Sequence, residues 1–152
     1  MKTKASIVKN RKAEFDYFLK ERIEAGLSLE GWEVKSLREG KVNLQESYVM
    51  NIGGRMMLVG CHITPMIQAS THAHCDPVRN KPLLLNKKEI DHLIGSVERK
   101  GFTCIPVSLY FSGGKVKLEI ALAEGKKQHD KRATEKAKDM KREADKAIKG
   151  LR

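Results

Sequence analysis

Apolar and polar side chains alternate along residues 15–29 of the chain. The odd positions are apolar except for Glu21, and the even positions are polar or small except for Phe18. A period of two residues is typical of a β-strand with one buried face. A helix is the competing interpretation, because the charged residues around Glu21 have good helix propensity. Since the pair Ala25-Gly26 argues against that helix, we predict one long strand with a bend or bulge at this pair.

Two β-hairpins are predicted farther along the chain. Each comprises two apolar runs on either side of a glycine pair, a residue type that tight hairpin turns favour. Pro106 cannot donate a hydrogen bond to a sheet, so its strand is expected to be an edge strand or to be bulged at this residue. The first hairpin joins residues 47–52 and 56–63 through Gly53-Gly54, and the second joins residues 105–111 and 116–122 through Gly113-Gly114.

Two short helices and one loop complete the pattern. Residues 32–39 form the first predicted helix, with apolar side chains on one face. A second helix begins at Asn86, whose side chain can cap the helix while Glu89 reaches back to it, and it ends at Gly101. Residues 70–82 lack periodicity and contain two prolines, which predicts a loop.

These five or six strands and two short helices predict a mainly β fold. Scattered strands with few strand–helix–strand units favour an antiparallel sheet, which we expect to curl into a small barrel. The chain changes character at residue 124, since no aromatic residue, valine or proline follows Leu122. Opposite charges three residues apart favour a helix in this tail, yet its apolar residues are small and sparse. We therefore expect residues 124–152 to be disordered in the free protein and helical when bound.

The distribution of charge favours a polyanionic partner. The 152-residue chain is 40% hydrophobic and 32% charged, as in globular domains, and its net charge is +11. Residues 1–12 contain five bases and no acid, and residues 124–152 contain eleven bases and six acids. Two basic ends on a nearly neutral body favour nucleic acid over a merely solvated tail or an anionic membrane surface.

The expected location is the cytoplasm. No apolar run is long enough to span a bilayer, and no apolar segment typical of a secretory signal follows the basic N-terminal residues. Three cysteines do not make a disulfide framework.

The sequence pattern contains no recognisable metal or catalytic motif. His72, His74 and Cys75 lack the paired spacing of a zinc site, so a polar loop is the favoured interpretation and no metal is expected. Cys61 and Cys104 lie within strand patterns and are predicted core residues. Because no nucleophile elbow, phosphate-binding glycine loop or paired-carboxylate motif occurs, we predict a protein without enzymatic activity or a cofactor.

Several isolated residues are candidates for binding. Glu24 and Glu33 are interpreted as surface residues or hydrogen-bond acceptors. Tyr17 and Trp32 are candidates for stacking on bases, although core packing is an equal alternative for Tyr17. Residues 126–132 are the densest polar run, which we interpret as a phosphate-contacting cluster rather than a solvated linker.

Five segments of the sequence resemble the SsrA-binding protein (SmpB) family of bacteria, in the family's order along nearly the whole chain. They are residues 24–38 (EAGLSLEGWEVKSLR), 63–66 (ITPM), 75–77 (CDP), 83–86 (LLLN) and 125–132 (GKKQHDKR). The resemblance implies a six-stranded antiparallel OB-like barrel with two or three flanking short helices and a basic C-terminal tail. It divides the chain into an RNA-binding body, residues 1–123, with a short basic N-terminal arm, and a tail, residues 124–152.

The resemblance also implies a function. Members of the family bind the tRNA-like domain of transfer-messenger RNA (tmRNA) and deliver it, with elongation factor Tu, to stalled ribosomes for peptide tagging. They have no catalytic activity, no cofactor and no membrane partner. The implied RNA-binding residues are Asn10, Tyr17, Glu24, Leu84 and Asn86. The implied contacts with the decoding centre of the small subunit are Gly125, Lys126, Lys127, His129, Asp130, Lys131 and Arg132, and the rest of the tail resembles the segment that enters the empty mRNA channel as a helix.

A generic single-strand nucleic-acid-binding protein with an OB-like barrel is the alternative. Such a protein uses several exposed aromatic residues along a groove. A metal-assisted nuclease that uses the histidine loop is a third possibility, which metal analysis of the purified protein tests.

Overall fold

A computed structural model describes residues 4–67 and 75–150 of the chain. It contains nine strands and four helices within these residues. The strands are β1 (Lys4–Lys9), β2 (Tyr17–Leu27), β3 (Val42–Asn43), β4 (Tyr48–Ile52), β5 (Arg55–Val59), β6 (His62–Ile63), β7 (Lys81–Leu84), β8 (Thr103–Ser112) and β9 (Lys115–Gly125). The helices are α1 (Arg11–Asp16), α2 (Gly31–Arg38), α3 (Lys87–Lys100) and α4 (Gln128–Gly150).

Seven of the strands form one antiparallel sheet in the order β1-β8-β9-β2-β7-β5-β4, and β3 pairs with β6 in a second sheet. This arrangement confirms the mainly β, antiparallel fold with flanking helices. The predicted six-stranded closed barrel is not observed, because no ladder within the described residues joins the edge strands β1 and β4. The sheet is therefore open in its hydrogen bonding.

The first predicted hairpin is shorter than expected because its second run divides at Gly60. This residue has a φ of +80°, and a Cβ atom there would lie 2.8 Å from the carbonyl oxygen of Glu46. Only a glycine allows both the turn and this close approach. The chain consequently leaves β5 at Val59, and Ile63 pairs with Val42 in the second sheet.

The predicted strand at residues 15–29 begins later than expected. Phe15 and Asp16 belong to α1, a helix that the alternation did not indicate. Asn10 begins this helix, since its side-chain oxygen accepts a hydrogen bond from the backbone nitrogen of Ala13. The irregularity in β2 lies between Leu19 and Glu21 and not at the predicted Ala25-Gly26 pair. It places Glu21 in an exposed position although the alternation put it on the buried face.

The second hairpin and both predicted helices are confirmed. Pro106 lies in an interior strand, and the pairing of β8 with β9 shifts register between Pro106 and Ser108, which is the predicted bulge. Asn86 caps α3 by accepting a hydrogen bond from the backbone nitrogen of Glu89 at 2.9 Å. Gly101 ends the helix with a φ of +69°, a conformation that glycine adopts without strain.

The prediction of a loop at residues 70–82 is wrong for the last two residues, since Lys81 and Pro82 lie in β7. Residues 68–74 are outside the described residues. Sequence pattern did not reveal β7 because Lys81 is completely buried, which is unusual for lysine.

The core lies between the inner face of the large sheet, the second sheet and helices α2 and α3. Cys61 and Cys104 are buried in it as predicted, and burial raises the pKa of these thiols to about 11 and about 12. Both therefore remain protonated near neutral pH. The most completely buried apolar side chains include Leu37, Leu44, Leu58, Ile63, Leu93, Leu109, Leu118 and Ile120.

Helix α4 contains most of the basic tail. The predicted division after residue 123 falls inside β9, which continues to Gly125. The described side chains between Arg132 and Ala144 are all exposed, so they add nothing to the core. Within the described ranges, no helix is long and apolar enough to cross a membrane.

Candidate nucleic-acid interface

One face of the large sheet is polar and turned away from the core. We call this the outer face, defined by Arg22, Glu24 and Gly26 on β2 and by the residues opposite them. Glu24 pairs with Glu119, and Gly26 pairs with Lys117 on one side and with Leu84 on the other. Because neighbouring residues of a strand point to opposite faces, the intervening side chains enter the core.

The carboxylate of Glu24 is held by Tyr110, whose hydroxyl group donates a hydrogen bond to Oε2. Tyr110 lies on β8, two strands from β2, so its side chain crosses β9 on the outer face. Only 6% of Tyr110 is exposed. Burial and the hydrogen bond to Glu24 both raise the pKa of the Tyr110 hydroxyl, so it remains a neutral donor at physiological pH.

Charged side chains surround this pair. Arg22 binds the carboxylate of Glu119 at 2.8 Å, next to Glu24 on the outer face. His92 of α3 lies 2.7 Å from a carboxylate oxygen of Glu21 and so joins the helix to β2. The outer face therefore presents hydrogen-bonding groups of both charges, which suits recognition of a folded polynucleotide.

Leu84 is an apolar side chain on this polar face, and 61% of it is exposed. It packs over Gly26, where a Cβ atom would lie 3.1 Å from the Cβ of Leu84. An open cavity of about 310 Å³ adjoins the two residues and is also lined by Lys115 and Lys117. Leu84 and Glu24 thus lie on the same face, as the resemblance implied. Asn86 follows Leu84 by two residues and is exposed at the start of α3.

Asn10 and Tyr17 lie apart from this group. Asn10 is only 4% exposed, and its amide nitrogen donates to the backbone oxygens of Pro106 at 3.0 Å and Leu44 at 3.3 Å. Its side chain therefore positions α1 from inside the body. Tyr17 is partly buried against a small apolar cluster, and it lines a second cavity of about 260 Å³ that also contains Tyr48. Of the two alternatives for Tyr17, packing against apolar neighbours is the one seen in the structure.

The predicted decoding-centre residues begin where β9 ends. Gly125 pairs with Tyr17 in the sheet, and the backbone nitrogen of Lys126 donates to the carbonyl oxygen of Asp16 at 2.8 Å. The Lys131 ammonium lies 3.2 Å from the Asp16 carboxylate. Lys127 and Arg132 are exposed, whereas the side chains of His129 and Asp130 lie outside the described part.

Phe18 is an aromatic residue that the sequence analysis noted only as an exception to the alternation. It is 41% exposed, and the ammonium groups of Lys126 and Lys20 lie 5.1 and 5.7 Å from its ring centre. These distances are typical of cation–π contacts. The apolar residue at an otherwise polar position of the predicted strand was therefore a signal from which an exposed aromatic side chain could have been predicted.

A buried ionic cluster lies on the core side of the body. Glu33 is completely buried, so of its two interpretations the surface residue is wrong and the hydrogen-bond acceptor is observed. Its carboxylate binds Arg79 at 2.5 Å and lies 3.7 Å from the Lys81 ammonium. Lys81 also donates to the backbone oxygens of Arg79 and Cys61, at 2.7 and 3.2 Å. Burial lowers the pKa of Lys81 below its ordinary value.

This cluster fixes the segment before β7 against α2. Arg79 also donates to the backbone oxygen of Ser28 at 3.1 Å, next to the start of α2. Trp32 is buried, and its indole nitrogen donates to Glu30 at 2.6 Å, so it is a packing residue in this structure. Within residues 4–67 and 75–150, no group of three potential metal ligands occurs. His72 and His74 lie outside these ranges.

Comparison with known proteins identifies the family. The family model described as "SmpB protein" matches residues 7–150 of the chain. The chain is 57% identical over 144 residues to the SsrA-binding protein of Dechloromonas aromatica, a match that covers 95% of the chain and 97% of that protein. The chain belongs to the SmpB family.

Further members of the SmpB family and a solved structure are similar to the chain. The SsrA-binding protein of Thiobacillus denitrificans is 54% identical over 144 residues, covering 95% of the chain and 97% of the relative. A structure described as "tmRNA-SmpB: a journey to the center of the bacterial ribosome" matches with a TM-score of 0.66 and 43% identity. That match covers 80% of the chain and 85% of the solved chain.

Tyr110 is a residue of this candidate site that the sequence pattern did not single out. It occupies an even position in a predicted strand whose odd positions are apolar, so the pattern already placed it on the polar face. A single aromatic residue at such a position indicates a side chain that lies along the sheet. Its hydrogen bond to Glu24 depends on strand order, which the alternation does not reveal.

Proposed function

We propose that the chain is an RNA-binding adaptor that binds the tRNA-like domain of tmRNA and delivers it to stalled ribosomes for trans-translation. The observation that carries this proposal is the 57% identity, over nearly the full length of both chains, to a protein named SsrA-binding protein. Elongation factor Tu belongs to the proposed delivery complex, which acts in the cytoplasm. The adaptor needs neither a catalytic group nor a cofactor.

The outer face is the proposed contact with the tRNA-like domain. The Glu24 carboxylate accepts hydrogen bonds from base or ribose hydroxyl donors, because a carboxylate that faced phosphate would be repelled. Leu84 packs against an exposed sugar or base, and Asn86 extends the contact at the start of α3. Lys115 and Lys117 border the same cavity and are suited to phosphate. Tyr17 contributes from the second cavity, and Asn10 supports it by holding α1.

The basic tail is the proposed contact with the ribosome. Residues 125–132 bind the decoding centre, and α4 lies in an mRNA channel that holds no message. Because the described side chains of α4 between Arg132 and Ala144 are exposed, the channel supplies the contacts that stabilise this helix. A channel occupied by mRNA excludes the tail sterically. Folding of the tail therefore reports an empty channel.

The alternative of a generic single-strand binder has less support. The exposed aromatic side chains among the described residues are Phe18 and Tyr48, on strands that are not neighbours. A stacking groove requires such side chains in a row.

A competition experiment tests the proposal. The full-length protein is titrated against the tRNA-like domain transcript and against an unstructured RNA of equal length, each in the same salt. Preferential binding of the folded RNA by at least tenfold is expected, and equal affinities contradict the proposed recognition. Peptide tagging in a reconstituted translation system on a message without a stop codon then tests delivery.

A further inference from the structure

Helix α1 lies at the place where the basic tail leaves the body. The joint comprises Glu14, Phe15 and Asp16 of α1 together with Lys126 and Lys131. The resemblance to the SmpB family singled out the two lysines as ribosome contacts, whereas nothing in the sequence pattern indicated α1. The contacts across this joint attach the start of the tail to the body.

The C-terminal end of α1 attracts cations. The last turn of this helix contains no basic residue of its own. Unpaired carbonyl groups and the helix dipole make such an end partly negative. Lys126 supplies the missing cation, since its ammonium group donates to the carbonyl oxygen of Glu14 at 3.0 Å and its backbone nitrogen donates to that of Asp16 at 2.8 Å.

Lys131 makes the second attachment, one helical turn into the tail. Its ammonium lies 3.2 Å from the Asp16 carboxylate and 5.9 Å from the ring centre of Phe15. The Lys131 and Asp16 side chains are 29% and 24% exposed, so this ion pair is shielded more than a typical surface pair.

Beyond the joint, the described side chains of α4 between Arg132 and Ala144 are exposed. The ion pair between Arg142 and Asp139, at 3.9 Å, lies within α4 and is exposed at both partners. It cannot orient the helix relative to the body. Lys126 and Lys131 therefore attach the start of the tail to α1.

We propose that Asp16 is a positioning residue for the tail, because it holds Lys131 and so fixes the first turn of α4 against α1. This inference rests on the proposed function of the tail. A tail that starts in a fixed direction reaches its site with less loss of conformational freedom, which favours its binding. Asp16 thus acts on the ribosome through Lys131, without itself contacting tmRNA.

The test uses full-length Asp16→Asn, an isosteric change that removes only the charge. We expect peptide tagging at limiting protein concentration to fall three- to tenfold, while affinity for the isolated tRNA-like RNA changes less than twofold. Asp76→Asn is the matched control, since it makes the same charge change at an exposed site outside the tail, and full tagging is expected. Asp16→Glu restores the carboxylate and should recover most of the activity.

Backbone ¹⁵N relaxation gives a direct readout of the joint. In the unmodified protein, amides of residues 127–132 are expected to be as ordered as those of β9, and in Asp16→Asn they become mobile. Unchanged order together with full tagging overturns the inference. If the unmodified protein itself does not support tagging, the proposed function fails, whereas the relaxation comparison still decides whether Asp16 holds the tail.

Discussion

The carboxylate of Glu24 owes its position to Tyr110, a side chain from a strand that is not adjacent to its own. Tyr110 is buried and has little freedom to move, so the hydrogen bond fixes the rotamer of an otherwise exposed glutamate. A preorganised acceptor binds more strongly than a mobile one because less side-chain entropy is lost on binding.

Substitution of Glu24 by Gln is expected to weaken binding of the tRNA-like RNA by about 1–3 kcal/mol, the range for hydrogen bonds to charged groups. Tyr110→Phe should weaken it less, because the carboxylate remains but loses its fixed orientation. A gel-shift titration measures both, and the double variant should bind no more weakly than Glu24→Gln alone. Additive losses contradict coupling through this hydrogen bond.

The raised pKa of Tyr110 predicts a pH effect on stability. The unfolded chain releases the tyrosine proton near pH 10, whereas the folded protein retains it. The folded state then binds more protons than the unfolded state, so stability falls as pH rises above about 10. Denaturant unfolding should show this loss in the unmodified protein and a smaller loss in Tyr110→Phe. Equal slopes of stability against pH in the two proteins contradict the assignment.

Helix α1 and strand β7 show where sequence patterns stop being informative. The pattern predicted β2, α2, α3 and both hairpins, because each has regular apolar spacing and recognisable turn or capping residues. Helix α1 depends on the buried amide of Asn10, whose partners are 34 and 96 residues away. Strand β7 contains Lys81, which is buried only because Glu33 and two carbonyl groups surround it. Both depend on distant partners that no local spacing encodes.

The same limit applies to the proposed binding residues. The resemblance named Glu24 and Leu84, and the structure places them on one face. Asn10 and Tyr17 lie apart from that face, and the contacts of Tyr110 with Glu24 and of Asp16 with Lys131 became visible only in the structure. Residues with a supporting role were missed because they act by contacting residues on other elements, and no sequence motif marks such a contact.

Helix α4 is expected to be only marginally stable in the free protein. Its described side chains between Arg132 and Ala144 are exposed, and an isolated helix with few apolar residues gains little from packing. Amide resonances from residues 133–150 should therefore be sharp and poorly dispersed in solution. Strong protection of these amides from hydrogen exchange contradicts this. The tail would then already be folded in the free protein, and its folding could not report an empty mRNA channel.

The body is stabilised by its buried core, to which the exposed side chains of α4 between Arg132 and Ala144 add nothing. Removal of the tail should therefore leave the body folded. A chain that ends at Lys127 retains all of β9 and both bonds from Lys126 to α1. It is expected to keep the melting temperature within a few degrees and most of the affinity for the isolated RNA, yet to give no peptide tagging.

A chain that ends at Ala123 provides the comparison. It lacks the pairs Phe18–Glu124 and Tyr17–Gly125, so it should melt at a lower temperature than the longer truncation. Calorimetry measures both chains. Full tagging by either truncated chain contradicts a role for the tail on the ribosome.

The order of strands in the sheet has a consequence for synthesis of the protein. Strands β1 and β2 are made first, but their partners β8 and β9 are made last. Pairing across such separations is slow, because a long loop must close before any contact forms. The central sheet is therefore completed only after residue 125 has left the translating ribosome. A message broken before the codons of β8 yields a nascent chain in which β1 lacks its partner and β2 can pair only with β7, and we expect such a chain to be a substrate for proteases.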